Sequence, residues 1–246
     1  MKKVIIISLL VNFIVSFSQT DSLALKNKNT IRWNVTPMFV VGHKSIVLGY
    51  ERIVSTYQTI SLNIGYLEKP PLTDMYGNII FNFDKSDRGG FDFALDYRFY
   101  FKNRNKLNAP DGIYWGPFFS YYNIWSEGES KIYDNNIPVN TIRVKTSFDM
   151  MSLGIQMGYQ FVLADRFTID MVLLGPSFSN YKLGFEFDAD TDISDEGEFY
   201  NDFKEFIEQY LPAGNIILNG KEITGTGSLD FNYVGFRYLI QLGYRF

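Results

Sequence analysis

His43, Lys44 and Ser45 place the single histidine of the chain two residues from a hydroxyl. At that spacing an imidazole can take the serine proton, provided that a carboxylate such as Glu51 orients the ring. A second candidate is Asp188-x-Asp190-x-Asp192, three carboxylates spaced like the opening of a calcium loop. The pattern then departs from an EF-hand, because Ile193 stands where glycine is needed and Phe199 where the bidentate glutamate belongs. What remains is a weak divalent-ion site, with calcium the favoured hard cation; no other cofactor is expected. Cysteine is absent, which removes disulfides, thiol catalysis and thiolate-bound zinc.

The acids around that triplet belong to a longer run. Glu186 to Glu208 holds ten acids (Glu186, Asp188, Asp190, Asp192, Asp195, Glu196, Glu198, Asp202, Glu205 and Glu208) against one base, Lys204. Ser194 or Asp195 can cap a helix whose first turn is acidic, which suits the helix dipole. Phe199, Phe203, Phe206 and Tyr210 follow at helical spacing, and Pro212 stops the run. The reading is a short amphipathic helix whose aromatic stripe meets a partner protein, the lipid or its own loops.

The elements that carry these residues are strands. The whole chain has 246 residues, a formal charge of -4 and 17% aromatic residues. The acidic balance argues against nucleic acid as a partner. Mean hydropathy is -0.08, too low for a helical membrane bundle. Lys2, Lys3, the apolar stretch from Val4 to Val15 and Ser16-Phe17-Ser18 read as a signal peptide over 1–18. A short periplasmic leader, 19–30, is expected to follow.

The last 13 residues show the strand signal most plainly. Val234, Phe236, Tyr238, Ile240, Leu242, Tyr244 and Phe246 alternate with Tyr233, Gly235, Arg237, Leu239, Gln241, Gly243 and Arg245. The same period recurs from Ile31 to Gly42, Ile46 to Glu51, Thr59 to Tyr66, Phe91 to Phe101, Ile113 to Tyr122, Met151 to Phe161 and Phe167 to Leu174. That makes an all-β chain, an eight-stranded antiparallel transmembrane barrel over 31–246 with a short helix in the last outer loop. Long outer loops are expected at about 68–90, 126–146 and 178–230. The opposite face of the strands carries charges of both signs: Arg32, Glu51, Asp96, Arg98, Asp170, Arg237 and Arg245. Inside a barrel of eight strands these should pair and close the lumen, leaving no open pore. The apolar face sets aromatics near strand ends, as interfacial girdles require. An even strand number puts both termini on one side, expected to be the periplasm of a Gram-negative outer membrane.

Leu48-Gly49-Tyr50-Glu51-Arg52, Gly112-Ile113-Tyr114-Trp115-Gly116-Pro117 and Leu239 to Phe246, with the signal ending in Ser16-Phe17-Ser18-Gln19, carry a resemblance. The chain resembles the small outer-membrane barrels of the OmpA/OmpX/OmpW type, in the form common in Bacteroidota. The resemblance implies contact with outer-membrane lipid and lipopolysaccharide. It also implies recognition of the strand ending at Phe246 by the barrel-assembly machinery. The expected role is non-enzymatic: loops presented for binding, or an accessory subunit of a larger outer-membrane complex. The alternative is a lipid-modifying enzyme, since His43 and Ser45 resemble the catalytic pair of the outer-membrane lipid A deacylases, which carry theirs on a late strand.

The acidic run generates a test. Clustered carboxylates repel unless cations offset them. Protection of the segment from Glu186 to Pro212 against protease should rise with calcium and fall on chelation. The response should vanish when Asp188, Asp190 and Asp192 all become Asn; equal cleavage with and without calcium excludes the ion.

Overall fold

The computed structural model describes residues 27–68, 75–76, 79–80, 87–105, 108–134, 137–189 and 226–246. The signal and leader residues before 27 lie outside that set. The strands are β1 (Asn29–Asn34), β2 (Ile46–Ser55), β3 (Gln58–Tyr66), β4 (Asp87–Tyr100), β5 (Gly112–Asp134) and β6 (Ile137–Leu163). Two further strands are bent. In β7, Phe167–Leu174 continues as Pro176–Ala189, and in β8, Thr226–Phe236 continues as Leu239–Arg245. Every strand pairs antiparallel with its neighbours in sequence, and β8 returns to β1, so the sheet closes into an eight-stranded barrel. Closure matters because the hydrocarbon core has no water to pair a free sheet edge.

The register fixes the shape. One row of pairs runs Ile31, Tyr50, Leu62, Leu95, Phe119, Leu153, Phe178, Val234. Yet Ile31 also pairs with Tyr244, so the row rejoins β8 ten residues from where it left. For eight strands at standard spacings, that stagger gives a strand tilt of about 40° and a barrel radius of about 8 Å. Side chains alone fill so narrow a lumen.

Alternation decides what faces lipid. Leu153 is 65% exposed and Phe178 66%, whereas Ser152 and Ser179, beside them in sequence, are buried. Ile46, Leu48, Ile64, Leu95, Ile155 and Ile240 are likewise exposed. At one end Phe99 stacks on Trp115 at 5.1 Å, and Phe167 meets Tyr244 edge-on at 5.6 Å. Towards the other end the outward face turns polar. Tyr121 donates to Asp149 at 2.7 Å, and Asn180 donates to Asp230 at 2.7 Å. An apolar band between an aromatic girdle and a polar rim is the surface of a membrane-spanning barrel. Among the described residues no helix is long and apolar enough to cross a membrane, as strand crossing requires none.

The first and last strands meet at the girdled end, where Asn29 and Phe246 exchange two backbone hydrogen bonds of 3.1 and 2.9 Å. Two of the three turns there are tight, between Ser55 and Gln58 and between Leu163 and Phe167. Ala164 and Asp165 both have positive φ, 48° and 60°, the type I′ geometry that matches strand twist. We call the opposite end distal.

Four expectations are corrected. The segment 68–90 is not all loop: Met75–Tyr76 pairs with Ile79–Ile80, which pairs in turn with β5, and Asp87 to Gly90 already belong to β4. The first strand does not run to Gly42: it ends at Asn34 and gives way to a five-residue helix, α1 (Thr36–Val40). Asn34 accepts a hydrogen bond from Thr36 N at 3.2 Å, which turns the chain off the ladder. Pro37 then sits in the first turn of α1, where its missing N–H costs nothing. The segment 126–146 is not a loop, because β5 and β6 stay paired up to Asp134 and Ile137. Outward Lys145 pairs with Glu186 at 3.4 Å, so opposite charges hold polar strands together above the apolar band. For the same reason 178–189 continues β7, and 226–230 already belongs to β8. Asp188 therefore stands in β7, its backbone opposite Arg143. Asp190, Asp192, Phe199, Phe203, Phe206 and Tyr210 lie outside the described residues, and with them the ion site and the helix.

Leu153→Arg and Ile240→Arg should each cost about 2–4 kcal/mol where the side chain meets the bilayer middle. Both should lower the fraction that reaches the compact, heat-modifiable gel form. Undiminished insertion of both variants would show that these positions do not face lipid.

Candidate functional site

The lumen divides into two parts. The part nearer the termini is filled by ionised side chains. Arg98, on β4, lies at its centre: Nη1 donates to Asp170 Oδ2 at 2.7 Å and to Gln160 Oε1 at 3.3 Å, and Nη2 to Asp96 Oδ2 at 3.3 Å. Glu51 Oε1 is 3.5 Å from the same guanidinium. Arg32, on β1, donates to Asp170 Oδ2 at 3.0 Å and to Ser61 Oγ. Arg237, on β8, donates to Asp96 Oδ1 at 2.5 Å and to Gln156 Oε1 at 3.0 Å. All six charged side chains are buried. Three guanidinium groups thus face three carboxylates, so the cluster is neutral, as charges removed from water must be.

Neutral groups complete it. Tyr114 donates to Asp170 Oδ1 at 2.7 Å, Thr59 to Glu51 Oε1 at 2.8 Å, and Tyr100 to Gln160 Oε1 at 2.8 Å. Gln160 Nε2 donates to Glu51 Oε2 at 2.9 Å. Two guanidinium groups also lie over rings: Arg98 over Tyr114 at 4.5 Å and Arg237 over Phe118 at 4.8 Å. Large inward groups stand beside small partners. Arg32 pairs across to Gly49 and Gly243, Tyr114 to Gly158, and Phe118 to Gly154. A Cβ at Gly158 would meet the Tyr114 ring at 2.6 Å, so glycine is what lets that ring lie flat across the lumen.

Of the seven charges singled out in the sequence, Arg32, Glu51, Asp96, Arg98, Asp170 and Arg237 meet in this plug. Arg245 does not join it. It sits at the girdled mouth, where its guanidinium donates to the backbone oxygens of Asn27 at 3.2 Å and Asp165 at 3.5 Å. Gln156, Gln160, Tyr100 and Tyr114 belong to the plug, although only their inward phase marks them in the sequence.

His43 and Ser45 lie at the distal end of β2. Ser45 is buried, and its hydroxyl accepts the Glu68 backbone N–H at 2.9 Å. His43 is exposed. Glu51 cannot orient His43, because it is consumed in the plug, six residues along β2. The carboxylate beside the pair is Glu68, which accepts from Lys44 N at 3.1 Å and lies 3.3 Å from Lys44 Nζ. Burial raises the Glu68 pKa, but the Lys44 amide, the Lys44 ammonium and His43 outweigh it and hold the carboxyl below its ordinary value. Among the described residues, no group of three or more His, Asp and Glu side chains is placed to hold a metal ion.

Beyond the plug the lumen opens into a cavity of about 260 Å³. Ser120, Ser152 and Ser179 are direct register partners on β5, β6 and β7, and all three are buried. Three short side chains at one level leave the lumen unfilled there. Ser152 and Ser179 hydroxyls bond at 2.7 Å, and Ser177 and Ser179 at 3.0 Å. Arg237 and Phe118 form the floor; Ile124, Phe148, Met150 and Tyr181 line the upper wall. Ser120 and Ser152 were legible as inward residues, whereas Ser179 fell in the expected loop 178–230; what marks the cavity is their coincidence in register, which needs the pairing itself.

No protein-family model matches the chain, and no curated protein is detectably similar to it. Among solved structures it is similar to the crystal structure of a major outer membrane protein from Thermus thermophilus. That likeness covers 89% of this chain and 99% of the other, at 9% identity and a TM-score of 0.35. At that score the membrane assignment rests on the chain's own apolar band, closed sheet and neutral plug.

The plug predicts a stability asymmetry. Arg98→Met leaves three carboxylates with two guanidinium partners and should cost about 3–5 kcal/mol. Arg166→Met, at an exposed turn, should cost less than about 1 kcal/mol. Urea midpoints of the refolded barrel in detergent compare the two, and equal midpoints would mean that the cluster is not what holds the lumen.

Proposed function

We propose that the protein is a non-enzymatic outer-membrane barrel that binds rather than conducts, taking a small amphiphilic molecule in its distal cavity. The observation behind this reading is a cavity with apolar upper walls and a polar floor, seated above a lumen blocked by six paired charges. Such a lumen has no continuous path for water, but it has a receptacle at one end. Both termini then face the periplasm and the cavity faces outward, which suits tight turns on one side and longer segments on the other. In the same reading the distal segments are offered to a partner, and the barrel serves as an accessory subunit of a larger complex in the outer membrane.

A second reading is a lipid-modifying hydrolase. It gains from Glu68, a carboxylate held beside His43 and Ser45. It loses from the use of the Ser45 hydroxyl as a buried acceptor for a backbone amide, which ties that oxygen to a structural contact.

Photolabelling decides between them. Octanol carrying a diazirine, added to the protein in phospholipid nanodiscs, should label Phe148, Met150 or Tyr181. Ser152→Phe, which fills the cavity, should reduce that label at least about tenfold. Label spread evenly over the lipid-facing surface in both forms would remove the binding role. Reproducible hydrolysis of lipid A or phospholipid that is lost in His43→Ala would install the enzyme in its place.

A further inference from the structure

The barrel wall is not uniform. In the half nearer the termini each strand is hydrogen-bonded on both sides. On the distal side, β1 stops at Asn34, while β8 continues back to Thr226. The segment Thr226–Phe236 of β8 pairs with β7 along one edge and, among the described residues, with no strand along the other. α1 stands in the space that β1 vacates. It is held to β8 by two contacts near its start: Val35 N donates to Ile240 O at 3.0 Å, and Ile240 N donates to Thr36 Oγ1 at 2.7 Å.

α1 is also the thinnest part of the wall. Thr36, Pro37, Val40 and Val41 line the cavity from inside. Phe39 is 76% exposed and Val40 75%, so among the described residues no second layer is packed over α1. The level is fixed by register. Cavity-lining Ser152 and Ser179 alternate in sequence with Leu153 and Phe178, which are among the most exposed apolar residues of the band. Val234 and Phe236, on the unpaired segment of β8, are exposed at the same level. The floor of the cavity, at the level of these serines, therefore lies within the apolar band behind a five-residue helix, and its upper wall reaches the polar rim.

We propose that the seam between α1 and the distal segment of β8 is a side entrance from the bilayer, and that the cavity takes one hydrocarbon chain of a lipid from the adjoining leaflet. This rests on the binding reading given above and names its ligand class and route. The occupant follows from the surroundings. What adjoins the seam is hydrocarbon, and what lines the cavity beyond it is Val40, Val41, Phe148 and Met150. A chain that passes inward exchanges one apolar environment for another. A charged or peptide ligand, by contrast, would have to shed its hydration in the band. A loop helix with few anchors can move without breaking the ladder that closes the other half of the barrel.

Fluorescence tests the route. Trp33, Trp115 and Trp125 all become Phe, and Phe148→Trp supplies one reporter in the cavity. The protein is reconstituted in phosphatidylcholine vesicles whose acyl chains carry bromine at mid-chain. Quenching of the reporter should exceed that in the same protein with Ser152→Phe by at least about threefold. Val40→Gly, which thins the wall, should raise quenching further. Far-ultraviolet circular dichroism and heat-modifiable migration establish that each variant is folded. Equal quenching with and without Ser152→Phe, or no response to Val40→Gly, overturns the side entrance. If octanol still labels the cavity in that case, the binding reading stands and only the route has failed. If neither probe reaches the cavity, both fall together.

Discussion

The bilayer supplies no hydrogen bonds to a polypeptide, and most of this structure follows from that. Each backbone N–H and C=O in the hydrocarbon must be paired within the protein, so the sheet has to close. Closing eight strands with a ten-residue stagger sets the tilt and leaves a lumen about 8 Å in radius at the backbone. A lumen of that size is neither a pore nor an oily core. It must be filled by side chains that alternate with lipid-facing ones, and the phase of alternation makes those side chains polar. Ionised groups in such a place are tolerable only when they neutralise one another, which is why Arg32, Arg98 and Arg237 meet Glu51, Asp96 and Asp170.

Where the plug ends, the constraint relaxes. Asp92 follows the same inward phase above Asp96 and is buried, but the residues at the level of Ser120, Ser152 and Ser179 are too short to meet across the lumen. The outer part of the barrel is thus a chamber by default of filling rather than by any special fold. The same relaxation shows in the wall. The β1 strand is needed as far as the plug, to deliver Arg32 and to close the ladder against β8. Beyond Asn34 the chain is released into α1. Plug, chamber and thin wall are three outcomes of one change along the axis, from a lumen that is packed to one that is not.

Much of this was legible in residues read two at a time. A period of two cannot be mistaken over the stretch from Val234 to Phe246, and it places Arg237 inward and Ile240 outward without further information. The charge cluster follows, because charges on the inward phase of a narrow barrel have nowhere else to go. The failures have physical causes too. Ile31 to Gly42 keeps its alternation through α1, so periodicity alone misses a helix that Asn34 and Pro37 begin. The β5–β6 hairpin above the band was hidden because strands held by pairs such as Arg143 and Glu127 have the composition of a loop. Glu68 gave no signal, since its role depends on a fold that brings the end of β3 beside Lys44 and Ser45.

The β1–β8 junction has a mechanical meaning as well. It is the shortest ladder in the barrel, five register pairs from Thr30–Arg245 to Asn34–Gln241, whereas β5 and β6 stay joined from Gly112 to Asp134. A cylinder whose wall is riveted so unequally has a tear line. Under heat or pulling force the sheet should unroll from that line, with α1 and the ends of the chain leaving first and the β5–β6 hairpin last. Read in reverse, the tall hairpin is the keel on which the cylinder is laid, and the meeting of Asn29 with Phe246 is the last plank.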